Sequence, residues 1–243
     1  MKPILALLLL LSSTLAHAAL ADLEYVSEEY PPYNYTEQGQ VRGLAVDLLK
    51  AVWQHTNTPA QHIRLMPWAR GYYLLTQKPN VVLFSTARTR AREAQFKWAC
   101  PIGYSEYGLW ALRANAPTIK AESDLNRYTV AAVRADASEQ LLLNKGMDDT
   151  RIQPANRLAQ AFKMLRSKRV DLIASGSLAA RDAMRELKLN PDDYQQVYVL
   201  SAEQLCYAFS PAVPDRDVKA FQDALTRTLA SQEYETLRKR YLP

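Results

Sequence analysis

Residues 80–92 read NVVLFSTARTRAR. The first half, NVVLFS over 80–85, is a short apolar run without polar alternation. A strand with one wet face alternates, so a continuous run suits a parallel strand covered on both sides. The second half carries Arg88, Arg90 and Arg92 with Thr86 and Thr89 among them. Three guanidiniums this close repel one another unless the backbone spreads them. If Thr89 opens a helical turn, Arg88 and Arg92 fall on nearly one face and Arg90 points away. Basic groups in a first turn oppose the helix dipole, and an anion there offsets the cost. The stretch therefore reads as a buried strand ending at a candidate anion site.

Working outward, the preceding segments alternate strand and helix. Residues 23–27 form a strand, and Tyr30-Pro31-Pro32-Tyr33 forces a turn because prolines cannot continue a ladder. An apolar helix over 44–53, a strand over 62–66 and a helix over 68–76 lead to the strand at 80–85. The pattern then recurs. A strand at 128–133 precedes a helix capped by Asp136 or Ser138 and stopped at Gly146. An amphipathic helix over 156–167, a buried strand VDLIA over 170–174 and a helix over 177–187 follow. Strand formers at 107–112 and 205–210 flank this second unit, and helices over 218–230 and 234–241 close the chain.

Two such units joined by two crossing strands predict an α/β fold of two lobes with a ligand cleft between them. Lobe 1 is expected over 19–106 and 207–243, and lobe 2 over 107–206. Ligands of open α/β sheets collect at the carboxyl ends of the strands. Here those ends are residues 27–33, 66–68, 85–92, 134–138 and 175–177.

The N-terminus reads separately. Lys2 precedes the apolar run ILALLLLLSSTLA and the Ala16-His17-Ala18 site. A positive start, a short apolar core and an A-x-A site predict a signal peptide over 1–18, and hence the periplasm of a bacterium. No cysteine follows the site, so no lipid anchor is expected. Cys100 and Cys206 are the two cysteines of the chain. In an oxidising compartment they can form a disulfide, or they stay two separate buried thiols. No Cys/His cluster has zinc spacing, and no glycine loop is built for phosphate, so neither metal nor cofactor is expected. The formal charge of +5 over 243 residues is too small and dispersed to argue for nucleic acid. No spacing suggests a nucleophile elbow or a metal base motif, so no catalytic residues are expected.

Several segments together resemble the bacterial extracellular solute-binding proteins of family 3. They are EEYPPYNY (28–35), GLAVDLLKAVW (43–53), MPWARGYYLL (66–75), FSTARTRARE (84–93), FKWACPIGY (96–104), KMLRSKRVDLIASGS (163–177) and YETLRKRY (234–241). Each is weak alone, and their order and spacing over 19–243 are specific. The resemblance implies the two-lobe periplasmic-binding-protein fold of type II, a monomer. Its partners would be a small polar or carboxylate-bearing, amino-acid-like solute and an inner-membrane ABC permease. It implies Arg92, within Thr89-Arg90-Ala91-Arg92, as a carboxylate clamp, with Arg88 beside it. Tyr30 or Tyr33 and Trp68 would stack on the ligand. Ser85, Thr86 and Ser175 would supply hydrogen bonds. One departure stands out. The acidic residue expected after the VD-x-x strand, which holds the amino group of an amino acid, is replaced by Ser175-Gly176-Ser177. Asp136 or Glu29 could substitute, and a carboxylate ligand without an amino group fits equally. The fold also hosts cyclohexadienyl-type dehydratases, where a cleft carboxylate such as Glu29 would act as acid or base, and ligand-presenting sensor partners.

Overall fold

The structure, a computed structural model, describes residues 18–242. The expected leader lies outside them except for Ala18. A short helix α1 (Ala18–Ala21) leads into β1 (Glu24–Ser27), the hairpin β2 (Tyr35–Glu37) and β3 (Gln40–Arg42), and α2 (Leu44–His55). Then come β4 (Ile63–Leu65), α3 (Trp68–Gln77), β5 (Val81–Ala87) and the long β6 (Lys97–Leu112). The next unit is β7 (Val130–Val133), α4 (Ala137–Asn144), β8 (Ile152–Ala155), α5 (Leu158–Arg166), β9 (Leu172–Gly176) and α6 (Ser177–Glu186). A second long strand, β10 (Tyr194–Phe209), precedes α7 (Asp215–Leu229) and α8 (Gln232–Tyr241).

The strands form one sheet in the order β4-β1-β5-β10-β6-β9-β7-β8. β5 is buried at all seven positions, as its apolar run predicts, and pairs in parallel with β1. β6 and β10 are antiparallel and pair from Tyr194↔Leu112 to Phe209↔Lys97. β5 meets β10 only between Leu205 and Phe209, and β9 meets β6 only between Tyr107 and Trp110. The two long strands thus carry β4-β1-β5 at one end and β9-β7-β8 at the other. This division makes the two lobes, and the strands between them are the hinge. Their ladder shifts register at Gln196/Tyr198, Val199/Ser201 and Leu205/Tyr207, and such bulges bend a strand pair locally.

Three contacts fix the first lobe. Gly43, at φ 126, opens α2, and a Cβ there would lie 2.3 Å from the Tyr33 carbonyl oxygen, so only glycine closes this turn. α7 returns to β6, where Gln222 Oε1 accepts from the Cys100 N–H at 2.7 Å and its Nε2 donates to the Cys100 carbonyl at 2.8 Å. α8 returns to α2, where the Tyr241 hydroxyl donates to Asp47 at 2.7 Å. Cys100 and Cys206 are joined by a disulfide between β6 and β10.

The sequence pattern finds every helix of eight or more residues but not the full length of the hinge. Strands expected at 107–112 and 205–210 are the ends of 16-residue strands. The β2–β3 hairpin and β8 are additional elements. β9 begins two residues later than expected and runs through Gly176.

Candidate functional site

A cleft of about 520 Å³ opens at the carboxyl ends of β1, β4, β5, β7 and β9, lined from both lobes. Its floor on the first lobe is a buried network. Ser27 Oγ donates to the Phe84 carbonyl at 2.8 Å, and Asn34 Nδ2 donates to Ser27 Oγ at 3.0 Å and to the Glu28 carbonyl at 2.6 Å. Ser85 Oγ donates to Asn34 Oδ1. Ser85 has φ 56, a left-handed backbone that a serine adopts only when its surroundings impose it. The end of β1, the Pro31-Pro32 turn and the end of β5 are therefore locked together, and Glu28 and Tyr30 are set at the cleft edge.

Arg92 is 1% exposed. Its guanidinium lies 5.2 Å from the Trp68 ring centroid and 5.0 Å from that of Tyr72. It donates to the Ala87 carbonyl at 3.5 Å and to the Ala135 carbonyl at 2.9 Å, and its Nε has no hydrogen-bond partner among the described residues. Trp68 Nε1 donates to the same Ala135 carbonyl at 2.8 Å. Ala135 also has a left-handed backbone, at φ 60, and its N–H donates to Glu139 at 2.6 Å. One carbonyl after β7 therefore receives two donors from the first lobe and ties the lobes across the cleft.

Tyr30 and Ser105 share a hydroxyl hydrogen bond at 2.9 Å. A Cβ on Gly176 would come within 2.9 Å of Ser105 Oγ and 3.1 Å of the Tyr30 hydroxyl, so glycine admits this contact beside Ser175. The lining holds five carboxyl residues, Glu28, Glu29, Asp136, Asp182 and Glu186, against two arginines, Arg92 and Arg157. Asp136 caps α4 through the Ala137 N–H, and Glu29 accepts from the Thr36 N–H and hydroxyl. Burial holds the Glu28 carboxyl well above its usual range; Asp136 adds to this and Arg92 opposes it. Burial likewise raises Asp182, against the pull of Arg185 and with added repulsion from Glu186 and Glu29.

The cleft brings together Arg92, Tyr30, Trp68, Ser85 and Ser175. Arg88, Tyr33 and Thr86 lie outside its lining, which corrects their expected placement. Arg88 pairs with Glu93 at 2.7 and 2.5 Å and lies 5.8 Å from the Trp98 ring centroid. Tyr33 packs against Gly103, with its hydroxyl donating to the Tyr104 carbonyl at 3.3 Å. Thr86 is fully buried and its hydroxyl returns to the Leu83 carbonyl at 2.9 Å. Sequence reasoning missed Glu28, Tyr107, Asp182 and Glu186. The last two carried a signal, because Ala179, Asp182, Ala183 and Glu186 follow one helical face.

Among the described residues no helix is long and apolar enough to cross a membrane. No curated protein matches the sequence. The fold is similar to a histidine kinase sensor domain with similarity to periplasmic binding proteins (TM-score 0.78, 21% identity, 93% of this chain and 97% of that one). It is similar to the substrate-binding protein of an amino acid ABC transporter (TM-score 0.72, 17% identity, 90% and 98%). It is also similar to an ancestral amino-acid-binding protein that is a precursor of cyclohexadienyl dehydratase (TM-score 0.70, 20% identity, 91% and 95%). These likenesses establish the periplasmic-binding-protein fold. Residues 25–243 match the family described as bacterial extracellular solute-binding proteins, family 3, and the chain belongs to that family.

Proposed function

We propose that the protein is a periplasmic solute receptor that captures a small polar solute in this cleft by closure of its lobes and delivers it to an ABC permease. The observation that carries the reading is the cleft itself, lined from both lobes and bridged by the Ala135 carbonyl. In this reading residues 19–106 and 207–243 move as one lobe and 107–206 as the other. The protein acts as a monomer after removal of residues 1–18. Tyr30, Trp68, Ser85, Arg92 and Ser175 form the solute's surroundings.

A thermal-shift screen of amino acids, organic acids, amines and short peptides tests it. A bound solute raises the melting temperature because only the folded state holds it. Calorimetry should then give one site per chain with the solute recovered unchanged. A second reading, an enzyme of the same fold, is favoured by the Glu28 carboxyl in the cleft, which burial pushes well above its usual range. Turnover of a cyclohexadienyl acid, lost in Glu28→Gln, would replace the receptor reading.

A further inference from the structure

Resting on the lobe closure of the receptor reading, we propose that Gly176 is a positioning residue for that closure. Its missing side chain leaves the seat on which the Tyr30 hydroxyl and Ser105 come to rest, and a side chain there wedges the cleft open.

The ladders locate the pivot. β5 pairs with β10 only as far as Ala87↔Leu205, and β9 pairs with β6 only as far as Gly176↔Tyr107. Between these limits the pairs Tyr104↔Gln204, Ser105↔Glu203 and Glu106↔Ala202 have no third strand beside them among the described residues. Register shifts at Val199/Ser201 and Leu205/Tyr207 flank this stretch. A two-stranded ribbon twists more than a wide sheet, and a bulge bends it, so the lobes turn about these three pairs. Ser105 is the middle residue of the pivot. Tyr30 belongs to the first lobe, and Gly176 ends β9 of the second.

The backbone of Gly176 does not call for glycine. Its φ of −63° and ψ of 141° suit any residue. What calls for glycine lies opposite. A Cβ there would come within 2.9 Å of Ser105 Oγ and 3.1 Å of the Tyr30 hydroxyl, whereas the Tyr107 ring at 3.5 Å would make an ordinary contact. The two hydroxyls have little room to step aside, because they are buried and bonded to each other at 2.9 Å. Tyr30 is also held from behind. Its N–H donates to the Asn34 carbonyl at 2.7 Å, and its carbonyl accepts from the N–H groups of Tyr33 and Asn34 at 2.9 and 3.1 Å. Its ring stacks on Tyr33, 5.8 Å between centroids, and Tyr33 lies against Gly103. The first lobe thus presents a braced aromatic stop. A new side chain at 176 is relieved by turning the second lobe about the pivot. A displacement so close to the axis is multiplied at the far side of the cleft, where Trp68 and Arg92 bond the Ala135 carbonyl.

The test uses the full processed protein without solute and compares Gly176→Ala in two backgrounds, wild type and Tyr30→Phe/Ser105→Ala. The second background removes both atoms that the new Cβ would meet. Small-angle scattering reads the radius of gyration, and NMR reads hydrogen exchange of the Trp68 indole N–H, with Trp53 and Trp110, outside the cleft lining, as internal references. In the wild-type background Gly176→Ala should enlarge the radius and speed Trp68 exchange at least fivefold, with the melting temperature within a few degrees. In the second background it should change neither. If that background does not fold, Ser105→Ala alone, which removes the nearer atom, must return at least half of the exchange shift. An equal shift in both backgrounds, no shift in either, or a lower melting temperature with Trp68 exchange unchanged overturns the proposal. Those results leave the receptor reading standing, since it is the solute screen that decides it.

Discussion

Replacing Arg92 by alanine removes a side chain packed against Trp68 and Tyr72 and bonded to two carbonyls. The loss combines a cavity with broken hydrogen bonds, so Arg92→Ala should cost about 2–4 kcal/mol of stability, read by urea denaturation. Unchanged stability would mean that the side chain is free to serve a ligand. Glu28 gives a second residue-scale expectation. The groups acting on its carboxyl are Asp136 and Arg92, with the hydroxyls of Tyr30 and Tyr107 also coupled to it. In the folded chain the group keeps its proton above its ordinary value of 4.5. Its contribution to stability is therefore full below that value and is lost as pH rises through the folded value. Glu28→Gln should flatten this slope, so the variant gains on the wild type as pH rises from about 4.5. Parallel pH profiles of the two proteins would refute the burial of that carboxyl.

At the scale of elements, β6 and β10 decide how the lobes are joined. Gly108 sits where a Cβ would lie 2.7 Å from Gln196 Cδ and 2.8 Å from the Tyr198 carbonyl oxygen. Gly108→Ala must push the two strands apart and should cost about 1–3 kcal/mol by thermal denaturation. The Cys100–Cys206 bridge spans 106 positions of chain. Replacing both cysteines by serine frees that loop in the unfolded state and should lower stability by about 4 kcal/mol, by denaturant titration. These strands also show why the sequence was only partly legible. β5 announced itself because all seven of its side chains are buried, between the parallel β1 and the antiparallel β10. The part of β10 before Leu205 includes Gln195, Gln196, Ser201, Glu203 and Gln204, and its order comes from pairing with β6 rather than from its own pattern. β8, with Pro154, lies at the sheet edge, where strand signals are weakest.

For the whole molecule, the Ala135 carbonyl ties the lobes through Trp68 and Arg92. Trp68→Phe keeps an aromatic ring but removes the indole donor, so the free protein should shift toward open forms by about fivefold. Small-angle scattering should then give a larger radius of gyration, and an unchanged radius would show that this bond does not hold the lobes together. The site's legibility follows the same geography. Tyr30, Trp68, Ser85, Arg92 and Ser175 line the cleft because each sits at or just past a strand's carboxyl end. Thr86 was misplaced because it follows Ser85 on the alternate face of the strand, and Arg88 because Glu93 draws it away. Asp182 and Glu186 share a helical face that the sequence shows, but that this face turns to the cleft depends on how α6 lies on β9. The bridge between the crossing strands has one more effect. Residues 101–205 leave and re-enter between two covalently joined cysteines, so they form a closed ring. A protease that cuts once anywhere in that ring opens it without dividing the protein. Nicked protein should therefore run as one band on a denaturing gel without reductant and separate into two fragments only when the sulfurs are reduced.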